Sequence, residues 1–182
     1  MNVEPVVTSD FARRRFAEVV LPHLDDAYGL ARWLTGSGTD AEDVVQEACM
    51  RALGSLEAAT IERPRAWLLT IVRNSAFTWL AKNRPRNVML TDDAQFLETA
   101  AAKAPMDAPD AEAALIAKAD EAALEAAIQA LPHAFREVVV MRDINALSYR
   151  EIAAAVDVPV GTVMSRLARG RALLIEKLGA GR

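Results

Sequence analysis

The sequence of 182 residues has one cysteine, two histidines and no long uncharged segment, and each shortage excludes a class of protein. Cys49 alone cannot form an intramolecular disulfide, and with His23 and His133 it provides too few ligands for a usual zinc site. The longest run without Asp, Glu, Lys or Arg is Ala126–Phe135, ten residues, about half of a bilayer crossing. The apolar segment after Arg13–Arg15 is too short for a secretory signal, so we expect a cytoplasmic protein.

Sequence signals of catalysis are equally scarce. The chain has no Gly-rich phosphate loop, no G-x-S-x-G, no His/Glu metal pair and no spacing that supports a nucleophile and its base. We therefore expect a protein that is not an enzyme and that needs neither a cofactor nor a metal.

Helical spacing dominates the apolar pattern, and alternating β-branched runs are nearly absent. The predicted fold is all-α, with two small helical domains, 1–87 and 112–182, joined by a flexible linker at 88–111 that contains Pro105 and Pro109. The predicted helices are Phe11–Thr35, Asp40–Leu56, Ala66–Lys82, Ala111–Leu131, Ala134–Asp143, Ser148–Val156 and Val160–Leu178.

Charge is distributed unevenly behind the net value of −4. Residues 63–86 carry six basic and no acidic side chains, and residues 136–182 carry eight basic against five acidic. The segments 1–62 and 87–135 are strongly acidic. Two basic islands in an acidic chain indicate either two contacts with a polyanion or two solvated basic faces.

The C-terminal third has the pattern of a helix-turn-helix. Ser148 and Glu151 have the spacing of a capping box, and Pro159 ends the helix that they begin. On the following helix, an apolar face that includes Met164 lies opposite a face with hydroxyl groups and arginines. That outer face is suited to phosphates and base edges in a major groove, although an ordinary amphipathic helix is the alternative.

These segments resemble the extracytoplasmic-function sigma factors. The C-terminal residues are similar to region 4 of that family, Asp40–Ala48 to region 2.2, and Trp67–Asn74 to the segment that joins regions 2.3 and 2.4. The family order is kept over nearly the whole chain. The region 4 resemblance is carried by Leu131–Pro132, Phe135–Val138, Leu147–Ala153 and Val158–Leu167.

The resemblance implies a factor that binds core RNA polymerase, at the β′ clamp helices and the β flap, and directs it to promoter DNA. It also implies a role in stress responses and a cognate anti-sigma factor, without membrane insertion. On helix 40–56, Val44, Val45 and Ala48 are predicted to face the core. The polar residues opposite them inherit polymerase docking: Asp40, Asp43, Gln46, Glu47 and Arg51.

The DNA contacts are implied in the same way. For the −10 element they are Arg63, Arg65, Arg73, Asn74, Lys82, Arg84 and Arg86, with the loop at about 56–65 receiving a flipped base. Trp67 is expected to pack in the core and not to stack on a base. For the −35 element they are Arg142, Arg150 and Arg166 on phosphates, and Thr162, Ser165 and Arg169 on base edges. Many family members have a basic residue where this chain has Met164, which leaves the −35 sequence open.

Two other protein classes stay open at this point. A helix-turn-helix repressor or activator would bind its operator without polymerase, and a sigma mimic would sequester an anti-sigma factor. The 24-residue linker can span about 80 Å, and two helical turns of DNA measure about 70 Å. The two domains are therefore able to occupy separate promoter elements without touching each other. The acidic segments predict weak promoter binding by the free chain.

Overall fold

A computed structural model describes residues 10–56, 60–83 and 121–179, and every regular element within these ranges is helical. The loop residues 57–59, Arg84, Arg86 and the predicted linker lie outside the described residues. The first helical unit consists of α1 (Asp10–Val19), a 3-10 turn (Leu21–His23), α2 (Leu24–Thr35), α3 (Gly38–Ser55) and α4 (Pro64–Asn83). The second consists of α5 (residues 121–129), α6 (His133–Val139), α7 (Tyr149–Val156) and α8 (Val160–Gly179).

The prediction of a single helix over Phe11–Thr35 was wrong. Pro22 stands in the 3-10 turn between α1 and α2, because proline has no amide hydrogen to donate within a continuing helix. The apolar spacing continues through this break, so periodicity did not reveal it.

Helix α3 also begins earlier than predicted. Gly36 ends α2 with a φ of 75°, and Ser37 then caps α3 by accepting a hydrogen bond from the Asp40 amide at 3.4 Å. Asp40 consequently lies within the first turn of α3 and not at the cap. In the first turn an acidic side chain is stabilised by the positive end of the helix dipole.

The second unit has the helix-turn-helix that the sequence predicts. Ser148 accepts from the Glu151 amide at 3.3 Å, and the Glu151 carboxylate accepts from the Ser148 amide at 2.8 Å, so the capping box is complete. Before it, α6 continues into a π-helical turn at Val140–Ile144.

The two units are in contact. One hydrophobic core runs from α2, α3 and α4 into α6, α7 and α8, with Leu34, Leu69, Met141 and Ile152 fully buried in it. Helix α4 lies against α7, and α2 lies against α6 and the π-helical turn. The structure therefore joins two domains that the linker length alone would allow to stay apart.

Candidate functional site

One exposed face of α3 carries most of the residues predicted to dock on polymerase. Asp43, Gln46, Glu47 and Arg51 are exposed, whereas Asp40 is half-buried. Glu47 and Arg51 form an ion pair of 2.8 Å one helical turn apart, which holds their side chains along the helix. On the opposite side Val44 is fully buried, and Val45, also predicted to face the core, is half-buried against it.

Met50 belongs to the same face, and sequence reasoning missed it. Its side chain is 64% exposed and lines a shallow pocket of about 300 Å³ with Phe16, Cys49 and Leu53. At 100° per residue, Met50 falls between Glu47 and Gln46 on the helical projection. An apolar residue in the middle of a polar face was therefore a readable signal of a contact surface.

The side chains of the basic island differ in their partners. Lys82 and Asn74 are exposed, and the Asn74 side-chain oxygen accepts a hydrogen bond from Nη1 of Arg73 at 3.1 Å. Arg63, Arg65 and Arg73 instead bond to groups of the second unit. Trp67 is half-buried against the core, as predicted.

Arg65 is the most constrained of these arginines. Its guanidinium donates to both carboxylate oxygens of Asp26, at 2.6 and 2.9 Å, and also to the backbone carbonyl of Asn145. The hydrogen bond from Arg65 lowers the pKa of Asp26 below its ordinary value of 3.8, although burial acts against it. Arg65 thus links α2 to the end of the π-helical turn.

Arg73 reaches a buried carboxylate of α6. Its Nη2 lies 2.8 Å from Oε2 of Glu137, and the guanidinium also covers the Phe77 ring at 4.2 Å. The Glu137 side chain is only 3% exposed, and its other oxygen lies 3.4 Å from Nη1 of Arg166 on α8. Burial raises the pKa of Glu137, and Arg73 and then Arg166 partly offset that rise.

The turn between α7 and α8 is tight. Asp157 ends α7 with a φ of 53°, a left-handed conformation that Asp tolerates better than most residues. Further along α8, Gly170 is buried where α6 crosses it. A Cβ at Gly170 would lie 2.8 Å from Cγ2 of Val139, so the absence of a side chain permits the close crossing.

The outer face of α8 presents part of the predicted −35 set. Ser165 and Arg169 are exposed, Thr162 is half-exposed, and the Ser165 hydroxyl donates to the Thr162 carbonyl at 2.9 Å. Arg169 makes no hydrogen bond or ion pair within the part of the chain that the structure describes. Met164, which the helical projection places at the edge of the apolar face, is 53% exposed.

The three arginines predicted to hold −35 phosphates differ in their surroundings. Arg150 is exposed at the start of α7. Arg142 donates to the Leu147 carbonyl at 2.8 Å and lies 5.0 Å from the Tyr149 ring, so it supports the loop before α7. Arg166 is half-buried beside Glu137.

Sequence reasoning did not single out the acidic and carbonyl partners of the basic island. Asp26, Glu137, Asn145 and Glu151 lie 39 to 88 positions from the arginines that they bind. One signal was available, because Glu137 stands in an apolar segment where a buried carboxylate requires a cationic partner. Nothing in the sequence indicates which arginine that partner is.

Across the described ranges, no helix is long and apolar enough to cross a membrane, and no cluster of three or more His, Cys, Asp or Glu side chains has metal-binding geometry.

Two family models match the chain in the order of its two helical units. Sigma-70 region 2 matches residues 19–86, and Sigma-70 region 4 matches residues 121–174. The first match contains α2, α3 and α4, and the second contains the helix-turn-helix.

Similar proteins include the RNA polymerase sigma-H factor of Pseudomonas aeruginosa, 34% identical over 93% of this chain and 88% of its own length. The ECF RNA polymerase sigma factor SigW of Bacillus subtilis is 30% identical over 90% of this chain and 88% of its own length. SigE of Mycolicibacterium smegmatis is 36% identical over 88% of this chain, which spans only 60% of that protein.

A solved structure is also similar throughout. The sigma factor RpoE from Bartonella quintana, crystallised with the anti-sigma factor NepR, superposes with a TM-score of 0.69 at 26% identity. The match covers 93% of this chain and 99% of that one.

Proposed function

Since the chain belongs to the extracytoplasmic-function RNA polymerase sigma factors, we propose that it binds core polymerase and directs promoter-specific transcription initiation. The observation that carries this proposal is the coincidence of two ordered family regions with two helical units, one bearing a polar α3 face and the other a helix-turn-helix. The polar face of the first unit is suited to docking on polymerase, and the helix-turn-helix of the second unit is suited to a groove of DNA.

We assign one binding role to each of these surfaces. Domain 1–87 docks on the polymerase β′ clamp helices through the α3 face, to which we add Met50 as an apolar contact. The basic island of α4 holds the −10 element, with Lys82 and Asn74 exposed for it in the free chain. Domain 112–182 sits against the β flap and reads the −35 element through Thr162, Ser165 and Arg169.

On this proposal the protein is a transcription initiation factor and not an enzyme. It binds RNA polymerase in the cytoplasm. The similar sigma factor of Bartonella quintana forms a complex with an anti-sigma factor, which supports a protein of that class as a partner here. Stress response is the physiological setting that the family membership favours.

The α3 face provides the decisive experiment. An Asp43→Ala, Glu47→Ala double variant removes two exposed carboxylates and one surface ion pair, so we expect it to melt within a few degrees of the parent. Charge-assisted contacts contribute about 1.5–3 kcal/mol each, so affinity for core polymerase should fall about 10²- to 10⁴-fold. Binding is measured with purified core polymerase and the fluorescently labelled full chain.

The matched control is Glu18→Ala, Asp25→Ala, which changes the net charge equally at exposed positions on α1 and α2. This control should bind polymerase like the parent. If the double variant on α3 also binds normally, the docking role of this face is wrong.

A helix-turn-helix repressor is the second candidate, because α7 and α8 have the required geometry on their own. A repressor binds its operator without polymerase. A mobility shift of promoter DNA by the free chain at nanomolar concentration in physiological salt would favour that function.

A further inference from the structure

We propose that Met164 is a specificity-determining residue of the helix-turn-helix, and that its side chain reads the C5-methyl group of a thymine in the −35 element. Met164 is 53% exposed and lies on the same solvent-facing side of α8 as Ser165 and Arg169. The inference deepens the proposed function and rests on it, because it takes α8 as the helix that enters the major groove.

The exposed side of α8 near its N-terminus has small residues in its middle. Gly161 and Ala168 are both exposed, and a Cβ at Gly161 would meet no atom within 4 Å. At about 100° per residue, these two residues lie between Met164 on one side and Ser165 and Arg169 on the other, and about 140° separates Met164 from Arg169. A helix with so small a middle can approach the floor of the major groove closely, so that the side chains at both of its edges reach base pairs.

The polar edge of α8 favours guanine. The Ser165 hydroxyl donates to the Thr162 carbonyl at 2.9 Å, so its hydrogen is already used. The Arg169 guanidinium has no hydrogen-bond partner among the residues that the structure describes, so its donors are available. A guanidinium pairs with the N7 and O6 acceptors of guanine, and it does not recognise the methyl group of thymine.

The opposite edge of α8 is apolar. Val160 is 38% exposed and lies one turn before Met164, so two neighbouring apolar side chains border the small middle. In the major groove the C5-methyl group of thymine is the apolar feature that a base pair presents. The unbranched thioether of methionine has three rotatable bonds and adapts its shape to such a contact. Since Met164 and Arg169 are separated by about 7.5 Å of helix rise, a helix that follows the groove places the thymine about two base pairs from the guanine.

Deoxyuridine tests this contact without a change in the protein, because it differs from thymidine only by the absence of the methyl group. The −35 element is first defined by transcription from a promoter library with core polymerase and the full chain. Each thymine of that element is then replaced in turn by deoxyuridine, and the affinity of the holoenzyme for each labelled promoter is measured. We expect one replacement to lower the affinity about fourfold, which corresponds to one methyl group that is buried in the complex.

Variants of Met164 assign this methyl effect to its side chain. In Met164→Ala the thymine and deoxyuridine promoters should bind equally, because the contact is lost in both, whereas Met164→Leu should keep most of the fourfold difference. Met164→Arg should move the preference at the same base pair from T·A toward G·C, since arginine pairs with guanine.

The matched control is Ile175→Ala. Ile175 is also an exposed apolar residue of α8, with 72% of its side chain accessible, but it lies about three turns further along the helix. This variant should keep the full methyl effect.

Three results would overturn the inference. The first is a −35 element in which no thymine responds to the loss of its methyl group. The second is a methyl effect of the same size in the parent and in Met164→Ala, which would assign the thymine to another residue. The third is an equal loss of transcription by Met164→Ala on every promoter with its methyl effect intact, which would place Met164 against polymerase.

The parent chain separates this inference from the proposed function. Promoter-specific transcription by the parent with core polymerase supports the function whether or not any methyl group matters. Without such transcription, the proposed function and this inference would both fail.

Discussion

The crossing of α6 and α8 at Gly170 allows a stability change to be worked out from the structure. Gly170→Ala would place a Cβ 2.8 Å from Cγ2 of Val139 and 3.3 Å from Cβ of Phe135. Both distances are shorter than ordinary van der Waals contact, and Val139 is 2% exposed and β-branched, so it has little freedom to move.

Two opposing terms set the magnitude. Alanine is favoured over glycine inside a helix by about 1 kcal/mol, whereas an extra methyl group in a packed contact costs about 1–3 kcal/mol. We expect a net loss of up to about 2 kcal/mol of unfolding free energy, which lowers the melting temperature by up to about 8 °C in a chain of this size. Promoter binding by the second domain should weaken too, because the crossing orients α8.

Gly29→Ala on α2 is the matched control. A Cβ there meets no atom within 4 Å, so only the helix propensity acts and the variant should be stabilised by about 0.5–1 kcal/mol. Both variants are measured by chemical denaturation with the same protocol. Equal stabilisation of the two variants would refute the argument that Gly170 is required by close packing.

Four other predictions concern the core, the DNA contacts and the capping box. Val44→Asp should unfold the first domain in a thermal melt by burying an unpaired charge, a loss of about 3–5 kcal/mol. Arg169→Ala should weaken −35 binding by about 1–3 kcal/mol and relax the preference at one base pair, as binding to a promoter library would show. Lys82→Ala should instead weaken all sequences alike and make the salt dependence of binding shallower in anisotropy titrations. The hydrogen bond from Ser148 lowers the pKa of Glu151 below its ordinary value of 4.5, so this carboxylate stabilises the fold above that pH. The stabilisation is lost as the pH falls through the lowered pKa. Denaturation at several pH values measures this loss, and Glu151→Gln should lack this part of the pH dependence of the unfolding free energy.

Local features of the fold could be predicted from the sequence to within a few residues. The start of α7 follows from Ser148 and Glu151, and its end follows from Pro159, because a cap and a proline act on their immediate neighbours. The break at Pro22 was missed because the apolar spacing runs through it. Periodicity placed Met164 at the edge of the apolar stripe but could not show that more than half of its side chain is exposed.

Some residues of the candidate site contact partners that are distant in the sequence, and the sequence does not show which residues these partners are. The exposed face of α3 followed from helical periodicity, since Asp43, Gln46 and Glu47 lie opposite the buried Val44. The pairing of Arg73 with Glu137 did not, because the two residues are 64 positions apart in the chain and meet only through packing between the two domains. Charge counts located the basic island but could not show which of its side chains are occupied.

The pairing of the basic island also has a consequence for how strongly the free chain should bind non-specific DNA. A genome offers about 10⁶–10⁹ non-specific sites, and binding to them depends on cations that displace counterions from phosphates. Because Arg63, Arg65 and Arg73 each bond to a group of the second unit, we expect the free chain to bind bulk DNA more weakly than its number of basic residues alone would predict. On the proposed function, a larger share of the molecules would then stay available to compete for polymerase before they meet a promoter.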